Sequence, residues 1–481
     1  MTEFAFESAA SLAQRLRAKE ISSVELLSYY FDRVDKFNGP LNAIIWEIRD
    51  EAMEDAKRAD AAIAAGEISG PLHGVPMTIK ESYDVKGTPS TWGAPYLKDN
   101  IASHDALSVQ RLRAAGAVIF GKTNVPLMLS DFQSYNEIYG TTNNPYDVTR
   151  IPGGSSGGSA ATLAAGMTGI DSGSDIGGSI RNPAHFCGVF GHKPTWNMLP
   201  PRGHATPGIL SPSDLSVIGP LGRGAEDVEI ATRVMAGPNE IESRGLKLEL
   251  PEFEKEPSEL KVAVWRDDEM APVDNSVSAR VDMVAEALQS EGAQLDYDAR
   301  PDFTSQHTHF TYQSLLSATM ACRVPEEQYQ RNLEAANSLD PDDESLDAVV
   351  RRSQVARFRE WIGNNEKRTH IRWAWHKFFE DYDIVLMPIM ARSAFPHDHR
   401  PFGERTITVN GQQQAYFLQV FWAGLPTNAY LPSTIVPTGL DDEGLPIGVQ
   451  VVGPEYGDLT TLGVARLLEK QGFTFTPPAG Y

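Results

Sequence analysis

The chain has 481 residues, of which 41% are apolar and 22% are charged, with 64 acidic against 42 basic side chains. This length allows a large buried core, and the composition is ordinary for a globular protein in water. The formal charge of −22 disfavours binding to nucleic acids and to anionic membrane surfaces, so we expect neither as a partner.

Location and cofactor content are predicted from two further features of the composition. No run of about 18 apolar residues occurs, so no transmembrane helix is expected, and the first residues lack the apolar core of a signal peptide. Cys187 and Cys322 are the only cysteines, and they provide neither a disulfide framework nor the paired spacing of a zinc site. We therefore expect a cytoplasmic protein without a metal or another cofactor.

The N-terminal part of the chain alternates helical and strand-like segments. A helix is predicted after Ser22, where Ser22 and Glu25 match a capping box, and a second one over about 50–65, before Gly66. From residue 71 to residue 119, short apolar runs alternate with helical ones. This alternation predicts an α/β protein rather than an all-α or all-β one.

The rest of the chain continues this alternation around a centre rich in glycine and serine. That centre spans residues 150–225 and contains a predicted alanine-rich helix at 159–165. Residues 237–260 are predicted to be an exposed connection, and residues 303–380 to be mostly helical, with an acidic break at 340–344. The remaining predicted elements are strands at 261–265, 384–387 and 447–452 and helices at 276–291 and 459–470.

Three segments carry the residues of a candidate active site: Gly74–Lys80, Gly153–Ala160 and Ser174–Arg181. Glycines placed closely around serines let the backbone approach a bound group, and successive N–H groups in such turns form anion-binding concavities. A serine beside such a concavity provides a nucleophile and donors for the oxyanion that acyl transfer creates. Because Lys80 ends a β-like apolar run, the segments together predict a serine hydrolase whose base is a lysine.

Two common motifs also match the sequence but lack their structural context. Residues 116–123 satisfy the phosphate-loop pattern, yet the residues between the two glycines are predicted to be a strand and cannot wrap a phosphate. Residues 154–158 satisfy the nucleophile elbow of α/β-hydrolases, with Ser156 as the nucleophile. An α/β-hydrolase-type esterase stays an alternative, but residues 146–152 do not look like the strand that an elbow follows.

The joint occurrence of the three segments closely resembles the amidase signature family. The resemblance covers nearly the whole chain, up to residues 444–450, and is weakest between about 300 and 380. It implies one α/β domain over residues 1–481, with a single large mixed sheet covered by helices on both faces. It also implies that the variable helical segment 300–380 lies near the substrate pocket.

The resemblance implies a catalytic role for three side chains and an anion-binding role for one loop. Ser179 aligns with the acylated nucleophile, Ser155 with a bridging serine after a non-proline cis peptide bond, and Lys80 with the general base. The residues whose N–H groups align with the oxyanion hole are Ile176, Gly177, Gly178 and Ser179. A lysine has a pKa near 10.4 in water, so burial must lower that pKa before Lys80 can act as a base.

Three residues beside these positions are interpreted as supports rather than as participants in the chemistry. Ser156, Asp175 and Arg181 match family residues that hold the catalytic loops by hydrogen bonds.

The substrate class is predicted from the stretch before Ala423-Gly424-Leu425-Pro426. In the family's tRNA-dependent amidotransferases, an acidic residue in this stretch of the glutamine-hydrolysing chain helps to hold the amino group of glutamine. This chain has aromatic residues there, between Tyr416 and Trp422, and an aromatic wall would leave the charges of a zwitterion unpaired. The predicted pocket residues are Met128, Leu129, Phe417 and Trp422.

We therefore expect a free-standing amidase that hydrolyses hydrophobic or aryl amides, with esters and carbamates as further substrates of the same acyl-enzyme. A small-molecule substrate is the expected partner, and a homodimer is left open. Two alternatives remain beside the α/β-hydrolase: the glutamine-hydrolysing A subunit of a tRNA-dependent amidotransferase, and a noncatalytic scaffold of the same fold.

Overall fold

An eight-stranded mixed sheet runs through the structure, a computed structural model that describes residues 4–481. The strands in these residues, β1 to β15 in chain order, are Ile44–Glu47, Pro76–Lys80, Val118–Thr123, Tyr135–Asn136, Gly140–Thr141, Asp171–Asp175, Phe190–Lys193, Val217–Gly222, Lys261–Val264, Gln294–Asp296, Ile384–Met387, Thr406–Val409, Gln412–Ala415, Ser433–Leu440 and Pro446–Val452. The α-helices, α1 to α14, are Ala9–Arg17, Ser23–Leu41, Arg49–Ala65, Leu107–Ala114, Gly157–Ala164, Arg181–Cys187, Ala225–Met235, Asn275–Ser290, Ser305–Ala321, Glu326–Asn337, Leu346–Ser353, Phe358–Phe378, Val420–Asn428 and Asp458–Lys470.

The large sheet has the strand order β10-β9-β11-β15-β14-β7-β8-β6. Strands β9, β10 and β11 pair in parallel, and every other neighbouring pair is antiparallel. A three-stranded sheet, β1-β3-β2, adjoins its β6 edge through an isolated bridge between Met77 and Ile170. The predicted mixed α/β fold is therefore confirmed, with β2, which ends at Lys80, placed beside β6.

Both faces of the large sheet are covered. Along β11, Val385 and Met387 belong to one buried cluster, whereas Ile384 and Leu386 belong to another. Successive side chains of a strand point to opposite faces, so the two clusters lie on opposite sides of the sheet. Helices α5, α6, α9, α12 and α13 contribute to the first cluster, and α7, α8 and α14 to the second.

Several of the predicted elements are confirmed with shifts of one or two residues. Ser22 and Glu25 form the capping box of α2, and α3 ends at Ala65, where Gly66 with a φ of +80° is the C-cap. The predicted 303–380 segment contains α9 to α12, with the acidic break between α10 and α11. None of the helices in residues 4–481 is long and apolar enough to span a lipid bilayer.

The structure also shows that the phosphate-loop pattern and the nucleophile-elbow pattern both lack their structural context. Residues Val118–Thr123 are the buried strand β3, so they do not form a phosphate-binding loop. Residues 146–152 contain turns and no strand, so Ser156 does not follow the strand that a nucleophile elbow requires. Strands β6, β7 and β8 were not predicted, because glycine and polar residues in β6 and β7, and glycine and proline in β8, obscure the apolar pattern of a buried strand.

Candidate active site

Lys80 is the last residue of β2, and its side chain is completely buried. Its Nζ lies 2.7 Å from Ser155 Oγ and 2.9 Å from the Oγ atoms of both Ser156 and Ser174. A neutral amine has two N–H donors and one lone pair, so it can donate to two of these hydroxyls and accept a proton from the third. The site thus joins all three of the predicted segments at one nitrogen atom.

Burial lowers the pKa of Lys80 to about 7, although the carboxyl groups of Asp175 and Asp171 favour its charged form. A substantial fraction of this lysine is therefore neutral near pH 7, as a general base requires. Burial also raises the pKa of Asp171 to about 7, because the low-dielectric interior disfavours the charge on each group. Asp171 Oδ2 accepts a hydrogen bond of 2.5 Å from Thr78 Oγ1 on the same strand as Lys80.

Ser155 follows a cis peptide bond, Gly154–Ser155, as the resemblance implied. A Cβ at Gly154 would collide with the backbone of residues 131–133, so only glycine fits at this position. The adjacent Ser156 N–H donates to the carbonyl oxygen of Ser179 at 3.1 Å, which ties the two serine-rich turns together. Ser179 is 8% exposed, whereas Ser155 is 1% exposed and Ser156 is fully buried, so Ser179 is the most accessible hydroxyl of the three.

Asp175 and Arg181 hold the loop that bears Ser179. The Asp175 carboxylate accepts from Gly178 N at 2.8 Å and from Ile180 N at 3.0 Å, and Arg181 donates to it from Nε and Nη2 at 3.0 and 2.8 Å. Burial would raise the pKa of Asp175, but the charge and hydrogen bonds of Arg181 lower it to about 2. A fully ionised carboxylate therefore fixes one side of the loop, which agrees with the supporting role expected for both residues.

This geometry corrects the expectation that Gly178 contributes to the oxyanion hole. The Gly178 N–H points at Asp175 Oδ1, so it is already engaged and does not face the cavity beside Ser179. Gly178 has a φ of +103°, a conformation that favours glycine and turns the next N–H in a different direction. The N–H groups of Ile176, Gly177 and Ser179 have no acceptor within residues 4–481 and are free to bind an anion.

Two cavities meet at Ser179. The first, called the Trp92 cavity, has a volume of about 580 Å³ and also exposes Ser155 and Ser174. Its apolar lining residues include Trp92, Tyr96, Met128, Leu129, Pro207 and Leu210. The second, called the Phe417 cavity, has a volume of about 600 Å³. Its apolar lining residues include Phe132, Leu316, Met320, Val324, Phe402 and Phe417.

The predicted pocket residues divide between the cavities and the core. Met128 and Leu129 line the Trp92 cavity, Leu129 also lines the Phe417 cavity, and Phe417 is 37% exposed there. Trp422 lines neither cavity: it is 1% exposed, and its Nε1 donates to Ala271 O at 3.1 Å. The expectation for Trp422 is wrong because α13 is buried on all sides, and position 422 faces the core rather than Ser179.

Sequence reasoning missed several residues of the site. Ser174, the third hydroxyl at Lys80, lies inside a segment already singled out, so its position could have been suspected. Asp171 is a buried acidic residue of β6, and it was missed because β6 itself was not predicted. No local pattern marks the α9 side chains that line the Phe417 cavity.

Within residues 4–481, no group of three or more His, Cys, Asp or Glu side chains is arranged to hold a metal ion.

A buried lysine among serine hydroxyls, next to backbone N–H groups that have no acceptor, gives this mixed α/β fold the groups of a candidate hydrolase. The family model of the amidases matches residues 25–462. The chain therefore belongs to the amidase signature family, enzymes that hydrolyse the C–N bonds of amides.

Curated relatives match this chain over nearly their whole length. The A subunit of the glutamyl-tRNA(Gln) amidotransferase of Rippkaea orientalis is 33% identical, over 97% of this chain and 98% of the relative. The protein of the same name from Nostoc sp. is 30% identical, over 95% of this chain and 96% of the relative.

Solved structures confirm the fold. A bacterial aryl acylamidase of the amidase signature family superposes with a TM-score of 0.83 at 23% identity, over 99% of both chains. The 6-aminohexanoate cyclic dimer hydrolase, complexed with its substrate, superposes with a TM-score of 0.80 at 25% identity, again over 99% of both chains.

Proposed function

We propose that this chain is a free-standing amidase that cleaves hydrophobic or aryl amides through an acyl-enzyme on Ser179. The observation that carries the proposal is the position of Ser179, which lines two largely apolar cavities. Its carbonyl accepts a hydrogen bond from Ser156 N, next to Ser155, the serine that contacts Lys80. Esters and carbamates pass through the same kind of acyl intermediate, so the proposal includes them as further substrates.

The proposed mechanism moves one proton along a relay of three side chains. Neutral Lys80 accepts the proton of Ser155, Ser155 accepts that of Ser179, and Ser179 Oγ forms a bond to the carbonyl carbon. The carbonyl π electrons move to oxygen, where the free N–H groups of the loop stabilise the negative charge. When the tetrahedral intermediate collapses, the C–N bond breaks, and the amine takes the proton back through Ser155. Water then attacks the acyl carbon while its proton passes through Ser155 to Lys80. The bond between that carbon and Ser179 Oγ breaks, Ser179 Oγ takes the proton back through Ser155, and the carboxylic acid leaves.

The hydrogen bonds in the wall of the Phe417 cavity support a neutral substrate. Asp131 is the acidic residue that lines the Phe417 cavity, and it already accepts hydrogen bonds from Arg405 Nη1 and Tyr416 Oη, both at 2.6 Å. The ammonium group of a zwitterion would therefore find no free carboxylate there, and an unpaired charge in such a site is costly. The net charge of −22 likewise supports a reaction without nucleic acid or an anionic membrane as partner.

A second candidate is favoured by the names of the curated relatives. Amidotransferase chains at 30–33% identity match nearly the whole chain, so glutamine hydrolysis within a multisubunit enzyme is the competing function. The stretch between Tyr416 and Trp422 speaks against it, since Phe417 and Val420 line the cavity where that reaction needs an acidic group.

A substrate panel on the purified chain separates these functions. The panel contains an anilide, an aliphatic amide, an aryl carbamate, the matched aryl ester and glutamine, and product release is followed for the wild type and for Ser179→Ala. We expect turnover of the anilide and the apolar amide, none of glutamine, and loss of all activity in the variant. Glutamine turnover without anilide turnover would establish the second candidate. No turnover of any substrate would favour the noncatalytic scaffold.

A further inference from the structure

Tyr312 contacts the backbone of the proposed oxyanion loop from a helix that supplies none of the predicted catalytic residues. It lies on α9, is fully buried, and its Oη donates a hydrogen bond of 2.8 Å to the carbonyl oxygen of Ile176. It lines neither cavity, so its hydroxyl is directed at the protein rather than at a substrate.

The bond to Ile176 fixes the direction of a neighbouring N–H group. A trans peptide is planar, and its C=O and N–H point to opposite sides. The carbonyl of Ile176 and the N–H of Gly177 belong to the same peptide. While Tyr312 holds that carbonyl on its own side, the Gly177 N–H must point away from α9. Gly177 lines the Phe417 cavity together with Ser179, and its N–H has no acceptor within residues 4–481.

The position of the Tyr312 ring is itself fixed by close packing. A Cβ at Gly424 on α13 would lie only 2.5 and 2.6 Å from two carbons of the ring, so the ring rests directly on the helix backbone. Arg181 ties the same helix to the loop, since its guanidinium donates to Ala423 O at 3.1 Å and to Thr427 Oγ1 at 2.8 Å. The ring therefore has little freedom to follow a displaced loop.

Two anchors hold the peptides on either side of Gly177. Asp175 accepts from the Gly178 N–H at 2.8 Å, and Tyr312 donates to the Ile176 carbonyl. Burial raises the pKa of Tyr312 well above its usual value, so the hydroxyl remains a donor at any working pH. Without Tyr312, the Ile176–Gly177 peptide would lose its hydrogen-bonded restraint and could rotate about its flanking bonds, while Asp175 would still hold the Gly177–Gly178 peptide.

We propose that Tyr312 is a positioning residue that orients the Gly177 N–H toward the oxyanion formed on the substrate. The inference rests on the proposed function, because it concerns the transition state of the Ser179 reaction. It adds that part of the oxyanion hole is set by α9, the helix whose later residues Leu316 and Met320 line the Phe417 cavity.

The test compares Tyr312→Phe with the wild type, using an anilide and a trifluoromethyl ketone inhibitor. Ser179 Oγ adds to the ketone carbon while its proton passes through Ser155 to Lys80. The π electrons move to oxygen, and the resulting adduct carries an oxyanion like that of the transition state. We expect kcat to fall about 10-fold and KM to change less than about 3-fold, because a misdirected donor costs less than the removal of one. The inhibition constant for the ketone should rise in proportion to the loss in kcat/KM, while that of the unreactive product carboxylic acid should stay constant.

A second pair of variants tests the position of the ring without removing the hydroxyl. Gly424→Ala should push the Tyr312 ring off α13 and produce the same loss of kcat and of ketone affinity. Gly463→Ala on α14 is the matched control, because its Cβ would meet the ring of Phe253, away from the site. We expect wild-type kcat and ketone affinity for that variant.

The results separate the two proposals. If the wild type neither hydrolyses an amide nor forms the ketone adduct, the proposed function fails, and the inference about Tyr312 falls with it. If the wild type does both, and Tyr312→Phe or Gly424→Ala retains wild-type kcat and ketone affinity, only the inference about Tyr312 is overturned. A fall in thermal stability with unchanged ketone affinity per folded molecule would also overturn it, because it would show a structural role alone.

Discussion

Lys80 Nζ lies 2.7 Å from Ser155 Oγ, although 75 residues separate them along the chain. A second buried lysine, Lys122 on β3, shows what distinguishes the first. Burial lowers the pKa of Lys122 to about 8, and its Nζ contacts Pro89 O and Ser90 Oγ. Lys122 lines neither of the cavities at Ser179, whereas Ser155, whose hydroxyl contacts Lys80, lines the Trp92 cavity. Burial alone therefore does not make a lysine a candidate base. The contact of Lys80 with Ser155 distinguishes it from Lys122.

The first prediction concerns the pH dependence of amide hydrolysis. Lys80 acts as a base only when neutral, so kcat/KM should rise with pH through about 7, the lowered pKa of Lys80, and then level off. Lys80→Ala should reduce amide turnover by about 100-fold or more. Ester turnover should fall less, because an alkoxide leaves with less help from a proton. Lys80→Arg should not restore activity, since a guanidinium stays protonated.

Matched pH–rate profiles for one amide and its ester test this prediction. Lys122→Ala is the control, because it removes a buried lysine of the same sheet that is not at the site. That variant is expected to lose stability but to keep the amide-to-ester ratio of the wild type. Near-normal amide hydrolysis by Lys80→Ala would contradict the lysine mechanism.

The second prediction concerns Asp171, whose negative charge raises the pKa of Lys80. Asp171→Asn removes that charge, so the pKa of Lys80 should fall further, and the rising limb of kcat/KM should move to lower pH by up to about 1 unit. Asp227→Asn is the control, because Asp227 is also fully buried with a raised pKa but holds the backbone of Ala10 and Gly224. A limb that moves to higher pH, or does not move, would refute the assignment of that limb to Lys80.

The third prediction concerns the identity of the nucleophile. A fluorophosphonate should label Ser179, because Ser179 is the most exposed of the clustered serines and lines both cavities. Peptide mass spectrometry locates the adduct, and Ser179→Ala should abolish it. An adduct on Ser156 would instead support the nucleophile-elbow hypothesis.

The fourth prediction separates a pocket residue from a core residue. Phe417→Ala should change the ratio of anilide to aliphatic amide turnover with little change in stability, because Phe417 is 37% exposed in its cavity. Trp422→Ala should instead lower the free energy of unfolding by about 3–5 kcal/mol, because it empties a buried site beside Trp265. Denaturant unfolding and substrate ratios measure both effects. A selectivity change confined to Trp422→Ala would reverse the two assignments.

The amino-acid sequence by itself determined the segments of the site and most of the elements around them. Ser155 and Ser179 lie in segments whose glycines and serines prescribe local backbone geometry, and Lys80 ends a short apolar run that is typical of a strand. Both signals depend on residues that are adjacent in the chain. The capping box at Ser22 and the strand at Ile384–Met387 were predictable for the same reason.

Only the tertiary structure decided which groups face the substrate. The Gly178 N–H donates to the Asp175 carboxylate and so does not contribute to the oxyanion hole. Trp422 lies in the core, whereas Phe417 faces a cavity. Tyr312 reached Ile176 across 136 residues of sequence. The direction of an N–H and the exposure of a ring depend on how helices and strands pack across the sheet, and no contiguous stretch of the chain contains that information.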